Sequence, residues 1–115
     1  MIENKIILEK LSPKKGFIQL ILNKSLLGGS DAIEFQKELN MILNSDNPEV
    51  VILDLSKVEQ INSSGLGMLV ASNSNLLKNK KKLVLINLSA KVQELVKMTH
   101  LDKVLNISQN IDSAL

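Results

Sequence analysis

Val50-Val51-Ile52-Leu53-Asp54-Leu55 is an almost unbroken apolar run ending in a carboxylate, and Leu83-Val84-Leu85-Ile86 is a second such run downstream. Short apolar runs of this kind read as strands buried on both faces of a sheet. Between them lie Ser56-Lys57-Val58-Glu59-Gln60-Ile61, the stretch Asn62-Ser63-Ser64-Gly65-Leu66-Gly67, and a helical pattern that turns Leu66, Leu69, Val70 and Leu77 inward as far as about Lys80. Residues 50–86 are therefore a strand, a helix and a strand. A connection of that length makes the strands parallel, with a right-handed crossover.

Upstream, Ser45-Asp46-Asn47-Pro48 ends another helix, because Pro cannot continue the hydrogen-bond ladder and pushes its predecessor toward extended backbone. Ala32, Phe35, Leu39, Ile42 and Leu43 define that helix's apolar face. Ser30-Asp31 marks its start, with Asp31 and Glu34 at the spacing of a capping box. Further back, residues 2–11 and 17–23 read as a β-hairpin around Ser12-Pro13-Lys14-Lys15-Gly16, with Ile18, Leu20 and Leu22 facing the core. Gly28-Gly29 breaks the run before the helix. Downstream, Ser89 caps a third helix with Val92, Leu95, Val96 and Thr99 on its inner face, ending near His100. Val104 to Ile107 form a short last strand, and Ser108 to Leu115 a final helical turn or two. The whole is one α/β domain over residues 1–115, without repeats or linkers.

Composition removes most chemistry. The chain of 115 residues has no Cys, no Trp, no Tyr, one His and two Phe, and all 14 of its basic residues are Lys. Disulfides, cysteine nucleophiles and Cys-type zinc sites are excluded, and a single imidazole cannot build a multi-His metal site. No catalytic residue, metal or cofactor is expected. Without the arginine fork, base-specific DNA readout is not expected either. The dense basic run Lys78-Asn79-Lys80-Lys81-Lys82 has no stacking aromatic nearby and reads as a solvated helix end. Met1 to Leu8 carries the acidic Glu3 and too short an apolar run for a signal peptide, and no stretch approaches a membrane span, so a cytoplasmic location is expected.

In open α/β sheets, sites gather beyond the carboxyl ends of parallel strands, where Asn62 to Gly67 falls. Ser63 or Ser64 can cap the helix, and Gly65 and Gly67 can serve close packing. Two adjacent hydroxyls cannot both be the cap, however, and a helix N-terminus stabilises a phosphate. Met68, placed with Ser72, Asn75 and Asn79 on the face opposite Leu66, is expected to be exposed beside Ser63 as a partner contact.

The stretch Leu53-Asp54-Leu55-Ser56-Lys57-Val58-Glu59-Gln60-Ile61-Asn62-Ser63-Ser64-Gly65-Leu66-Gly67 closely resembles the signature of STAS-domain anti-sigma factor antagonists. Leu85-Ile86-Asn87-Leu88-Ser89 and Thr99-His100-Leu101-Asp102-Lys103-Val104-Leu105 resemble the family's second half. The resemblance implies a mixed sheet of four or five strands with an opening hairpin and about four helices. It also implies an anti-sigma factor that is a serine kinase, a serine phosphatase that reverses it, and Ser63 as the phosphoacceptor, with Ser64 as runner-up. Asp54, Ser56, Asn62, Ser64, Gly65, Gly67 and Met68 would form the loop and partner surface. The family also includes subunits of ABC-type lipid transport assemblies and scaffolds that need no phosphorylation. Two positions depart from the pattern: Asn62 stands where many phosphorylated members have Asp, and His100 where the family often has Gly. Nothing in the sequence fixes the oligomeric state.

Overall fold

Residues 8–23 and 26–115 are described in the computed structural model. The chain opens with β1 (Leu8–Lys14) and β2 (Phe17–Leu22), then β3 (Leu26–Leu27) and α1 (Ser30–Asp46). The middle holds β4 (Val50–Asp54), β5 (Gln60–Ile61), α2 (Ser63–Lys78) and β6 (Lys82–Ile86). It closes with α3 (Ala90–Met98), a 3₁₀ turn at Leu101–Lys103, β7 (Asn106–Ser108) and α4 (Ile111–Ala114). The main sheet has the order β1-β2-β4-β6-β7, antiparallel only between β1 and β2. The expected parallel pair is therefore β4 and β6, in the middle of the sheet.

Both faces of β4 and β6 are covered, which is why their sequences do not alternate. Val51, Leu53, Leu83 and Leu85 join Ile18, Leu20 and Leu22 in the main core under the helices. Ile52, Val84 and Ile86 face the other way, against Ile111 and Ala114 of α4. The opening hairpin is present, but its turn is tighter than expected. Ser12, Pro13 and Lys14 remain in β1, where the register shifts between Leu11 and Lys14. An edge strand tolerates Pro at such an irregularity. Of the expected first strand, residues 2–7 lie outside the described residues.

On α1, Phe35 and Leu39 are buried and Ala32, Ile42 and Leu43 pack partly against the core, as the periodicity predicts. Its start differs from expectation. The N-cap is Gly29 at φ +58°, with no side-chain cap, and the carbonyls of Gly28 and Gly29 accept from the N–H groups of Asp31 and Ala32. Asp31 is already inside the first turn, so the Asp31–Glu34 capping box does not form. At the far end, Lys10 and Ser45 donate to the Asp46 carboxylate and hold its pKa below the usual range.

The inward face of α2 is shifted from the expected one. Leu66 and Leu69 are buried and Val70 half-buried, but Leu77 is 57% exposed and Met68 only 4% exposed. A second buried arc causes this: α2 packs on α1 as well as on the sheet, and Gln36 Nε2 donates to Ser72 Oγ across the helix pair at 3.0 Å. The third helix has its Ser89 cap, whose Oγ accepts from Val92 N–H at 3.2 Å. Thr99 is not on the inner face. It is exposed, and its hydroxyl donates to the carbonyls of Leu95 and Val96. His100 follows in the left-handed region at φ +61°, which accounts for the glycine expected there by resemblance. The last strand begins two residues later than expected, leaving Leu105 in the core.

Asn73 is 3% exposed and its Oδ1 has no hydrogen-bond partner among the described residues. Replacing an unsatisfied buried amide with an apolar side chain of similar shape relieves its desolvation penalty of about 1–3 kcal/mol. Asn73→Leu is therefore expected to raise the urea midpoint with m unchanged. A lower midpoint would mean that the amide has a role in the core.

Candidate functional site

The turn between β5 and α2 is built from three directions. Asp54, buried at the end of β4, accepts from Ser56 N–H at 2.9 Å and from Asn87 Nδ2 at 3.2 Å through Oδ1. That carboxylate closes the turn after β4. Val58 plugs the loop into the core, and Ser89 Oγ donates to the Glu59 carbonyl at 3.1 Å. The two residues of β5 then pair in parallel with β3, Leu26 opposite Gln60 and Leu27 opposite Ile61. This small second sheet carries no periodic signal and was not expected.

Asn62, not either serine, caps α2. Its backbone is extended (φ −102°, ψ −178°), and its Oδ1 accepts from Gly65 N–H at 2.9 Å. Ser64 Oγ is also engaged, accepting from Gly29 N–H at 3.2 Å, so this hydroxyl ties α2 to the start of α1. Ser63 is exposed at the first helical position, and its hydroxyl has no hydrogen-bond partner among the described residues. The helix therefore presents one uncommitted hydroxyl at its positive end.

The glycines around the turn have different reasons. A Cβ on Gly28 would overlap the Asn62 side-chain amide, so the β3–α1 connection rests directly on the cap. Gly67 is exposed with nothing within 4 Å of a Cβ, so it serves no close packing among the described residues. Gly65 is buried and Ser56 is exposed on the preceding loop. Met68 does not lie open beside Ser63 as expected; it is part of the core between α2 and α1. Its one edge toward solvent is the shallow groove it shares with Ala32, Ile33 and Ser64. Among the described residues, no three His, Cys, Asp or Glu side chains gather as metal ligands, and no helix is long and apolar enough to cross a membrane.

Fold and turn together define a class of small mixed-sheet α/β domains that expose a serine at the start of the second helix. The chain belongs to the STAS domain family, which it matches over residues 16–114. It is similar to a putative anti-sigma factor antagonist from Thermotoga maritima, at 25% identity and a TM-score of 0.81, over 93% of this chain and 90% of that one. The anti-sigma factor antagonist SpoIIAA in its unphosphorylated form shares the fold at 13% identity and a TM-score of 0.72, over 90% of this chain and 89% of its own. The murine Solute Carrier 26 family member A9 anion transporter contains the same fold as one part of a longer chain. That likeness covers 90% of this chain and 18% of the transporter, at 18% identity and a TM-score of 0.74.

Proposed function

We propose that this protein is an anti-sigma factor antagonist that works in the cytoplasm by binding an anti-sigma factor, itself a serine kinase, and is switched off by phosphorylation of Ser63. A serine phosphatase restores the binding form. The observation that carries the reading is the division of labour at the helix start: Asn62 caps, Ser64 holds Gly29, and Ser63 alone has its hydroxyl unengaged among the described residues. The antagonists of similar fold support it. Kinase action would move the γ-phosphoryl group of ATP to Ser63 Oγ, leaving ADP and a proton. The phosphate brings about −1.5 to −2 charge into the contact surface and disfavours a partner through repulsion and desolvation. In this reading the protein is a substrate and binding partner rather than an enzyme, and it has no direct nucleic-acid contact.

The test is labelling with ATP and the anti-sigma kinases of the same genome, read by intact mass and peptide mapping. One phosphate is expected on wild type and on Ser64→Ala, and none on Ser63→Ala. Ser63→Asp should weaken anti-sigma binding more than about tenfold, or about 1.4 kcal/mol. Labelling that persists in Ser63→Ala, or no labelling by any of these kinases, refutes the switch.

Asn62 supports a second reading, since it keeps the cap without the acid common in phosphorylated members. In that reading the same surface makes a constitutive contact in an ABC-type transport assembly or a signalling scaffold. Wild type and Ser63→Asp would then bind their partner equally.

A further inference from the structure

Next to Ser64, the facing flanks of α1 and α2 leave an open groove of about 470 Å³. Ala32, Ile33 and Met68 give it an apolar wall, and Lys37 and Asn40 stand exposed along it. Ile33 is 68% exposed although it lies on the helix that carries Phe35 and Leu39 into the core. A single exposed isoleucine is ordinary, but this one borders a groove that begins one residue from the free hydroxyl of Ser63.

Charge is sorted around the groove. No carboxylate lines it, and no described residue pairs with the Lys37 ammonium. On α1, Ile33, Lys37 and Met41 follow each other at four-residue steps, while Glu34, a turn before Lys37, lies outside the groove lining. Asn40 also borders a second hollow of about 370 Å³ further along the helix pair, with Asn44, Asn75, Asn79 and Lys81 and again no carboxylate. The interhelical surface is thus apolar near the acceptor, amide-lined beyond it, and cationic wherever it is charged.

We propose that the α1–α2 groove is the docking site for an acidic amphipathic helix of the protein partner. Its apolar anchor rests on Ala32, Ile33 and Met68, and its carboxylate pairs with Lys37. The choice of occupant rests on charge complementarity, and the identity of the partner rests on the function proposed above. The sign fits as well: a phosphate on Ser63 would repel the carboxylates that Lys37 attracts.

The test uses the ¹⁵N-labelled protein and a synthetic helical peptide with leucine and glutamate at four-residue spacing, alongside the same peptide with lysine for glutamate. With the glutamate peptide, amide shifts are expected in residues 32–40 and 64–68. Lys37→Glu and Ile33→Ser should each weaken binding about tenfold or more, with spectra otherwise showing an intact fold. The proposal is overturned if no shift occurs up to about 1 mM peptide, a bound of weak affinity, if the lysine peptide binds as well, or if the shifts fall elsewhere. No kinase enters this assay. Failure of Ser63 labelling with a positive titration would remove the phosphorylation switch and leave the groove; labelling with a negative titration would do the reverse.

Discussion

Replacing Phe35 with alanine is expected to destabilise the domain by about 3–5 kcal/mol, the range for truncating a buried aromatic side chain. Domains of this size are stable by only about 5–15 kcal/mol in total, so much of the folded population at physiological temperature is at stake. Phe35 is fully buried and is the largest side chain in the core, in a protein without Trp or Tyr. It fixes α1 on the sheet, and its loss leaves a cavity that Leu39 and its neighbours fill only in part. Phe17 is the internal control. It is half-buried on the other face of the sheet, with the Lys14 ammonium 4.5 Å from its ring centroid, and Phe17→Ala should cost clearly less. Urea unfolding of both variants, with comparable m, makes the comparison. Equal losses would mean that α1 is not held by Phe35.

The large core was legible in sequence because burial leaves a periodic trace. The runs at Val50–Asp54 and Lys82–Ile86 and the alternation of Ile18, Leu20 and Leu22 each record which faces are covered. Asp54 was legible as a loop residue only through the family resemblance, because an apolar run ending in a carboxylate does not say which N–H groups that carboxylate will bind. The helix cap was not, since Asn62, Ser63 and Ser64 are all good cap residues and only the extended backbone of Asn62 selects among them. Met68 was misplaced for a different reason. Periodicity along α2 reports the face turned to the sheet, but the second buried arc depends on how closely α1 lies alongside, which involves residues far away in sequence. The same holds for β3 and β5, whose two-residue pairing is too short to leave any pattern. The two glycines before α1 read only as a break, although one of them rests on the cap of α2.

Gly28→Ala is accordingly expected to cost about 1–3 kcal/mol, the usual penalty for forcing a methyl group into occupied space. The added Cβ would overlap the Asn62 amide, and at φ +156° it would also be strained by the backbone itself. Either the β3–α1 connection or the amide must move. If the amide moves, Gly65 N–H loses its acceptor, a loss worth about 1 kcal/mol in a typical N-cap. Asn62→Ala should show that cap loss alone. In the double variant the amide is gone and the methyl group has room, so the combined cost should fall short of the sum by about 1 kcal/mol, a coupling well above the scatter expected for independent sites. Additive costs would mean that Gly28 and Asn62 do not press on each other. Gly29→Ala separates space from backbone strain, because a Cβ there meets nothing while φ of +58° still disfavours it, and this variant should show no coupling to Asn62. Coupling confined to Gly28 would make the β3–α1 connection a structural part of the β5–α2 turn. If the proposed switch holds, the rate of Ser63 labelling should drop in Gly28→Ala and recover in part in the double variant, even though residue 28 lies far from Ser63 in sequence.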